Sequence, residues 1–517
     1  MKADQAESIF TLQQLDQIKS SGKSQEEVLA QLKLFSEGFP AVKLLRHVSP
    51  EDGVLLIEEK DQQAYLNEFS MAQQEVVMSK FVPASGASSR MFKLLFAYLN
   101  EGDALHTTQL AIIDTFCQQI LAFPFGESLQ KELEDAELPL RELIEKKDFA
   151  TIIAYVLKEQ GLGFGSFPKA LIPFHHYEDG MRTALEEHLV EAAHYCVAAD
   201  RQVRLHFTVP PHQINKFDAL LKEVVPKYEK AYDVHFQIEK SIQEPSTDTL
   251  AVDLENQPFI KEDGNLLFRP GGHGALLENL NRITADWVYI KNIDNVVHDD
   301  WKESTYLWKK LLGGVLYYFQ VRIFGWLKQL EKAQFLLPEE EQNLLSFLRT
   351  ELGLWIPEKL SEWNTEDRLE WFRHKLNRPI RVCGIIRTEE ATGGGPFWIE
   401  EEGEASLQVI ETAQINTENT EQAEILSRSR YAHITDLVCS IRDYQGEKFD
   451  LMKYRNDKMG FIVQKSLNGK PLKAMELPGL WNGAMADWNT IMLEVPNETF
   501  NPVKTVMDLL EPEHKAK

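Results

Sequence analysis

Residues 81–93 read FVPASGASSRMFK, and this stretch decides how the rest of the chain is interpreted. An apolar run typical of a buried strand meets five small residues, 84–88, and a helical pattern begins near Arg90. Small side chains let backbone N–H groups approach an anion, and a helix N-terminus adds unpaired donors and a positive dipole end. The corner therefore fits a phosphate-binding loop, and it also fits a tight turn that needs only Gly86.

Strand and helix patterns alternate in the sequence that follows Gly165. VRLHFTVP (203–210) and DWVYIKNI (286–293) read as strands, and HQINKFDALLKEVVPKYEKAY (212–232) reads as a helix. This alternation predicts a parallel sheet with crossover helices, and hence an α/β fold. We expect KALIPFH (169–175) to be a further strand and GALLENLNRI (274–283) a further helix.

The distribution of helical segments predicts three regions. Residues 1–75 form a helical N-terminal region, in which Ser24 and Glu27 have the spacing of a capping box. Residues 76–425 form an α/β domain with a helical insertion at about 94–165. Residues 426–517 form a C-terminal part that adds a lysine loop to the ligand cleft.

Composition narrows the classes of partner. The 517 residues include 55 basic and 80 acidic side chains, and the net charge of −25 disfavours nucleic acid and anionic membranes as partners. The four cysteines are far apart and are typical of small buried side chains in a reducing compartment. The N-terminal residues lack the apolar run of a signal peptide, so we expect a cytoplasmic protein of undetermined oligomeric state.

Polar residues follow several of the predicted strands, and open α/β sheets bind ligands at those carboxyl ends. The candidates are Lys169, the glycine corner 271–274, Asn292, Asp294 and Lys504. Each has an ordinary explanation, because a lone lysine is usually a solvated charge and an aspartate after a strand often caps a helix. Together they supply what two phosphorylated substrates need: amides and cations for phosphates, and a carboxylate for magnesium.

Six segments resemble those of nucleotide-diphospho-sugar transferase folds, and more narrowly those of the UDP-sugar pyrophosphorylase group. In chain order they are ASGASSRM (84–91), FPKALIPF (167–174), RPGGHGALLENL (269–280), YIKNIDNV (289–296), VIETAQI (409–415) and FNPVKTVMDLL (500–510). The resemblance implies a Rossmann-like, GT-A-like α/β fold with a mixed sheet, a helical N-terminal region and a helical insertion. The chain as a whole also resembles an uncharacterised bacterial family known as domain of unknown function 4301.

The resemblance also implies roles for individual residues. The catalytic residues, which neutralise phosphate charge, are Arg90, Lys169 and Lys504. The implied nucleotide-binding residues are Ser85, Gly86, Ala87, Ser88, Ser89, Gly271 and Gly272. The implied sugar-binding residues are His273, Gly274, Asn292 and Glu411, and the implied ligand of the cofactor Mg²⁺ is Asp294.

The reaction implied by the resemblance joins a nucleoside triphosphate and a sugar 1-phosphate into a nucleotide sugar and pyrophosphate. The sugar-phosphate oxygen attacks the α-phosphorus in line, so no protein nucleophile is needed and catalysis consists of positioning and charge neutralisation. Two alternatives stay open: a glycosyltransferase that uses a nucleotide sugar, and a non-catalytic sensor or scaffold that binds one.

Overall fold

The apolar run before the small-residue corner forms the strand Met78–Pro83, whose first five residues are buried. A strand buried on both faces is what a parallel sheet requires. In the computed structural model the described residues are 9–86, 88–389, 393–467 and 469–517. All four cysteines are buried and free, as the sequence predicts. Within these residues, no helix combines the length and the apolar run needed to cross a bilayer.

The described residues form α-helices and strands throughout the chain. The helices are α1 (Leu12–Ser20), α2 (Gln25–Glu37), α3 (Glu59–Glu75), α4 (Lys93–Glu101), α5 (Thr107–Gln118), α6 (Gly126–Asp135), α7 (Leu140–Glu145), α8 (Phe149–Leu157), α9 (Ala184–Tyr195), α10 (Ile214–Tyr232), α11 (Leu277–Asn281), α12 (Lys302–Lys332), α13 (Pro338–Ser346), α14 (Thr365–Leu376) and α15 (Thr420–Ser427). The strands are β1 (Lys43–His47), β2 (Val54–Leu55), β3 (Met78–Pro83), β4 (Pro173–Tyr177), β5 (Gly180–Thr183), β6 (Gln202–Thr208), β7 (His235–Ser241), β8 (Thr249–Val252), β9 (Phe268–Arg269), β10 (Trp287–Lys291), β11 (Ile380–Arg387), β12 (Gly394–Glu401), β13 (Glu404–Glu411), β14 (Tyr431–Ser440), β15 (Phe461–Leu467), β16 (Lys470–Glu476) and β17 (Asn489–Glu494). The predicted α/β class is confirmed.

The chain divides into two compact units, each built from separate stretches of sequence. The first unit contains the described residues up to Ala72, together with Gln243–Val288 and Leu312–Val495. The second unit contains Gln73–Ile242, Tyr289–Leu311 and Pro496–Lys517. The units interleave along the sequence, whereas the predicted regions 1–75, 76–425 and 426–517 are consecutive, and those boundaries stay a prediction.

The second unit contains the parallel strands that the alternating pattern predicts. Strand β3 pairs in parallel with β6, and β6 pairs in parallel with β7. Strand β10 is the other neighbour of β3, in the order β10-β3-β6-β7. The insertion between β3 and β4 is helical, as predicted, and contains α4 to α8.

The segment KALIPFH differs from its prediction as a single strand. Lys169–Leu171 form a 3-10 turn, and strand β4 begins only at Pro173. The turn closes when the N–H of Ile172 donates to the Lys169 carbonyl, while the Lys169 N–H donates to the carbonyl of Gly86. The GALLENLNRI segment likewise enters its helix through a 3-10 turn, His273–Leu276.

The first unit contains both mixed and antiparallel sheets. Its largest set of strands has the order β2-β17-β11-β14, with parallel pairs at β2–β17 and β17–β11 and an antiparallel pair at β11–β14. Antiparallel pairs also build β1-β12-β13 and β15-β16-β8-β9. The predicted mixed sheet character is therefore present within this unit.

The N-terminal helices pack against the sheet of the first unit that contains strand β8. Helix α2 begins with the predicted capping box, in which the Ser24 hydroxyl accepts from the Glu27 N–H and the Glu27 carboxylate accepts from the Ser24 N–H. Apolar side chains of α1, α2 and the adjoining sheet form one buried cluster: Phe10, Ile18, Val28, Phe35, Leu250, Val252, Leu266 and Met475. This burial explains why the N-terminal region is helical and amphipathic.

A buried ion cluster lies in the core of the second unit. The Nζ atoms of Lys80 on β3 and Lys291 on β10 are each 2.8 Å from an oxygen of Glu191 on α9. All three side chains are at most 1% exposed. Burial lowers the pKa of Lys80 to about 8 despite the attraction of Glu191. Burial alone would raise the pKa of Glu191, but the two lysines hold it well below its ordinary value.

We expect Glu191→Gln to lower the free energy of unfolding by about 3–5 kcal/mol, because it leaves two buried lysines without a counter-charge. Urea unfolding followed by circular dichroism measures the change. The matched control is Glu142→Gln, which breaks the exposed pair with Lys146 and is expected to leave the unfolding midpoint unchanged. Equal effects of the two substitutions would show that the buried cluster does not hold the core together.

Candidate functional site

In the second unit, the carboxylate of Asp294 lies between two lysines. The Lys169 Nζ donates to Asp294 Oδ2 at 2.8 Å, and the Lys504 Nζ lies 3.6 Å from the same oxygen. The Lys169 and Asp294 side chains are about 10% exposed, whereas that of Lys504 is 58% exposed. Three of the predicted site residues therefore come together around one carboxylate.

Two chain segments fix this cluster in place. Asp294 follows the end of β10, and its backbone carbonyl accepts from the N–H of Val503 at 3.0 Å. The Val503 carbonyl in turn accepts from the Lys169 Nζ at 2.6 Å. The side-chain oxygen of Asn295 accepts from the Asn501 N–H, which anchors the same C-terminal segment. The role of the Val503 backbone has no sequence signal, because any residue supplies a carbonyl.

The small-residue corner is attached to the start of the Lys169 turn. Ser88 is fully buried, its hydroxyl donates to the Phe164 carbonyl at 2.8 Å, and its N–H donates to the Phe167 carbonyl. Ser88 thus fixes the corner to residues 164–167. Among the other predicted nucleotide-binding residues, Ser85 is half-buried, Gly86 and Ser89 are exposed, and Ala87 lies outside the described residues.

The corner leads into a helix start with a positive local charge. A 3-10 turn, Ser88–Arg90, precedes α4, which begins at Lys93 with no side-chain cap and no acidic residue in its first turn. Arg90 and Lys93 are both exposed. Neither side chain pairs with a carboxylate among the described residues. Unpaired cations beside open helix N–H groups are suited to binding an anion.

In the first unit, the predicted histidine and glutamate are in contact. The His273 ring nitrogen Nδ1 accepts from the Leu480 N–H at 2.9 Å, so Nε2 carries the proton of the neutral ring. That Nε2–H donates to Glu411 Oε1 at 3.0 Å. The Asn482 side-chain amide donates to the same oxygen at 2.5 Å. The arrangement orients hydrogen-bonding groups of the kind that recognise hydroxyls.

The histidine ring is also held by two residues that sequence reasoning missed. The Trp481 ring stacks on His273 with a centroid distance of 4.0 Å and an interplanar angle of 6°. The Trp481 carbonyl accepts from the fully buried guanidinium of Arg381 at 2.7 Å. The sequence does contain a signal for Arg381, because it is the single charged residue in the apolar strand segment IRVCGII (380–386).

The glycines of the 271–274 corner lie close to backbone carbonyl groups of other segments of the first unit. A Cβ on Gly274 would lie 2.1 Å from the Pro478 carbonyl oxygen, and one on Gly271 would lie 2.7 Å from the Thr247 carbonyl oxygen. Gly272 has φ +75°, a conformation that favours glycine. Packing within the chain therefore requires glycine here, whatever ligand the corner binds. Asn292 is half-buried at the end of β10.

Among the described residues, no group of three histidine, cysteine, aspartate or glutamate side chains is arranged to hold a metal ion. Asp294 Oδ1 is buried and has no hydrogen-bond partner in the described part of the chain. Magnesium sites often use one or two carboxylates and complete the coordination with substrate phosphates and water. The single free oxygen of Asp294 fits that kind of site, and the magnesium assignment stays a prediction.

Comparison with known proteins identifies the family. The profile of the family described as Domain of unknown function (DUF4301) matches residues 11–515, so the chain belongs to that family, as predicted. No curated protein matches the sequence.

Similar solved structures include a mutant UDP-glucose pyrophosphorylase from Leishmania major in complex with UDP-glucose. It is 13% identical, with a TM-score of 0.44, and the match covers 98% of this chain and 78% of that one. A uridine diphosphate N-acetylglucosamine pyrophosphorylase from Trypanosoma brucei, in complex with an inhibitor, is 11% identical with a TM-score of 0.48. That match covers 94% of this chain and 74% of that one.

We expect Gly274→Ala to lower the free energy of unfolding by about 1–3 kcal/mol, because the new Cβ must displace the Pro478 carbonyl. The matched control is Gly86→Ala, where no atom lies within 4 Å of the added Cβ. Chemical denaturation of both variants and the unaltered protein checks the contrast. A Gly274→Ala variant as stable as Gly86→Ala would show that the 271–274 corner does not need glycine at that position.

Proposed function

We propose that this member of the DUF4301 family is a magnesium-dependent nucleotidyltransferase of the pyrophosphorylase type. It joins a nucleoside triphosphate and a sugar 1-phosphate and releases pyrophosphate. The observation that carries the proposal is the Asp294 carboxylate with Lys169 and Lys504 beside it, in the unit that also contains the small-residue corner. A triphosphate substrate needs this concentration of positive charge in a protein whose net charge is −25.

In this proposal the small-residue corner and its cations bind the triphosphate. Ser85, Gly86, Ala87 and Ser89 approach the phosphates through their backbone, while buried Ser88 holds the corner in shape. Arg90 is exposed and makes no ion pair within the described residues, so its guanidinium is suited to a bidentate contact with phosphate oxygens. No atom lies within 4 Å of a Cβ added at Gly86, so a phosphate has room to approach the backbone there.

Lys169 and Lys504 neutralise charge that develops on the α-phosphate and the leaving pyrophosphate. Lys169 already donates two hydrogen bonds, to Asp294 and to the Val503 carbonyl, so its position is fixed before any ligand arrives. A preorganised cation stabilises a charged transition state without the cost of reorientation. Lys504 is more exposed and is suited to contact the outer phosphates.

Asp294 would hold the magnesium ion through its oxygen Oδ1, which has no hydrogen-bond partner among the described residues. When bound, the metal supplies Lewis-acid neutralisation of phosphate oxygens. The lysine on Oδ2 fixes the direction of the carboxylate, so the remaining oxygen has a defined position.

For the first unit, we propose that the glycine–histidine corner contacts the base and the sugar, and in the second unit Asn292 keeps its implied sugar-binding role. Gly271 and Gly272 contact the nucleotide, and His273, Gly274 and Glu411 contact the sugar. The pair formed by His273 Nε2–H and Glu411 offers a donor and an acceptor at one place. Sugar hydroxyls both donate and accept, so such a pair matches their chemistry.

The first test is a thermal-shift panel of UTP, GTP, CTP, dTTP and ATP, with and without magnesium. A nucleotide at about a hundred times its dissociation constant stabilises the fold by about 2.7 kcal/mol. We expect one nucleotide to give a magnesium-dependent shift that is lost in Lys169→Gln, which removes the charge and keeps a donor for Asp294. Exposed Lys131→Gln is the control and keeps the shift.

Absence of a shift with every triphosphate would contradict the proposal. Nucleotide sugars are then tested in the same assay. A magnesium-dependent shift with a nucleotide sugar alone would indicate the glycosyltransferase alternative. Ligand binding without pyrophosphate release from any sugar 1-phosphate would indicate a sensor or scaffold.

We expect Asp294→Asn to lower magnesium-dependent pyrophosphate release by about 100-fold or more, because the neutral amide loses the charge that binds the metal. The substitution is isosteric and its amide oxygen still accepts from Lys169, but it removes the counter-charge of that nearly buried lysine, so we expect the unfolding midpoint to fall, and circular dichroism checks that the fold is intact. Pyrophosphate release is measured beside Asp233→Asn, which changes a 98% exposed side chain. Turnover within about twofold of the control would remove Asp294 as the metal ligand.

A further inference from the structure

A cavity of about 590 Å³ lies in the second unit, in the helical insertion. Helices α4 and α5 and the segment after Lys504 line it, and its walls include the buried side chains of Met91, Leu95, Phe116 and Val506. The volume falls within the range of about 300–1,000 Å³ that is typical of small-molecule sites. The function proposed above uses Arg90 at the edge of this cavity but not the apolar interior.

The rim of the cavity differs in chemistry from its walls. Arg90 and Lys93 line it at the start of α4, and both are exposed and without an acidic partner among the described residues. Ile112, on α5, also lines the cavity and is 42% exposed. Exposed lining residues mean that the cavity opens to solvent, with a positive rim and apolar walls.

Acidic residues outnumber basic ones by 80 to 55 in this chain, so two neighbouring cations give this surface a positive charge that differs in sign from the net charge. Two neighbouring unpaired cations above an apolar cavity are complementary to a ligand with the opposite charge at one end and an apolar remainder.

We propose that this cavity binds a soluble, single-chain amphiphile with a phosphate monoester head. The charge of about −1.5 to −2 that a phosphate monoester has at pH 7 matches the combined charge of Arg90 and Lys93. The guanidinium of Arg90 contacts the phosphate oxygens in a bidentate manner, and Lys93 adds a second cation. The apolar chain lies against Leu95, Phe116 and Val506 and is removed from water.

This binding does not depend on the proposed nucleotidyltransferase activity. If that activity is present, Arg90 serves both ligands, and the amphiphile and the nucleoside triphosphate compete. The site is then placed to regulate the enzyme or to accept a phosphorylated substrate that has an apolar substituent.

The test is isothermal titration of the full chain with decyl phosphate, decyltrimethylammonium and inorganic phosphate, each below any micelle-forming concentration. We expect decyl phosphate to bind at least about tenfold more tightly than either of the other two probes. Decyltrimethylammonium has the same chain with the opposite charge, and phosphate has the head without the chain. Equal affinity for the two decyl compounds would overturn the role of the rim cations.

Two variants test whether decyl phosphate binds in this cavity. Ala97→Phe fills the cavity from α4 and is expected to weaken decyl phosphate binding at least about tenfold, whereas Ala136→Phe, at an exposed position, is not. Lys93→Glu reverses one rim charge at the surface and is expected to weaken binding to a similar degree, and Lys131→Glu is its control. Unchanged affinity in both test variants overturns the proposal.

Vesicles distinguish a soluble ligand from a membrane surface. Cosedimentation with vesicles that contain phosphatidic acid, together with no binding of decyl phosphate, would overturn the assignment to a single-chain ligand. Nucleotide binding is measured separately on the same variants. Loss of decyl phosphate binding in Ala97→Phe with the nucleotide shift retained would place the two ligands in different spaces and support the cavity as an independent site.

Discussion

The carboxylate of Glu191 connects three elements of the second unit, and the candidate phosphate site depends on it. It bonds Lys80 on β3 and Lys291 on β10 from its place on α9. Lys80 lies shortly before the small-residue corner, and Lys291 lies shortly before Asp294. The buried charges therefore hold α9 against the two strands whose ends lead into the small-residue corner and Asp294. A buried ion cluster is costly to form, and here it joins α9 to β3 and β10, which are already neighbours in the sheet.

Local patterns predicted the elements that depend on local interactions. The buried run of β3, the helix α10 and the capping box at Ser24 follow from periodicity and side-chain chemistry within a few residues. The 3-10 turn at Lys169 was missed because it depends on a bond to the carbonyl of Gly86, which is distant in sequence. The arrangement of the chain into two interleaved units has no local sequence signal, since each unit combines stretches that are remote in sequence.

The candidate site was predictable only in part. Lys169, Asp294 and Lys504 could be selected by residue type and order, and the structure brings them together. The supports of His273 could not be selected, because Trp481 acts through ring stacking and Arg381 acts through a backbone carbonyl. The glycine corner has two explanations at once. Its tight packing against Pro478 would require glycine even without a ligand, so the residue type alone does not identify a binding loop.

The contact between Val503 and Lys169 has a consequence for biosynthesis. The ribosome makes the polypeptide from the N-terminus, so Lys169 and Asp294 leave the exit tunnel long before residues 496–517, which complete their unit. Until Val503 emerges, neither its carbonyl nor its N–H can bond to them. A nascent chain thus has the acidic side chain and the corner but lacks the segment that locks them. During synthesis the Lys169–Asp294 pair therefore lacks these two backbone contacts until the segment around Val503 has been made.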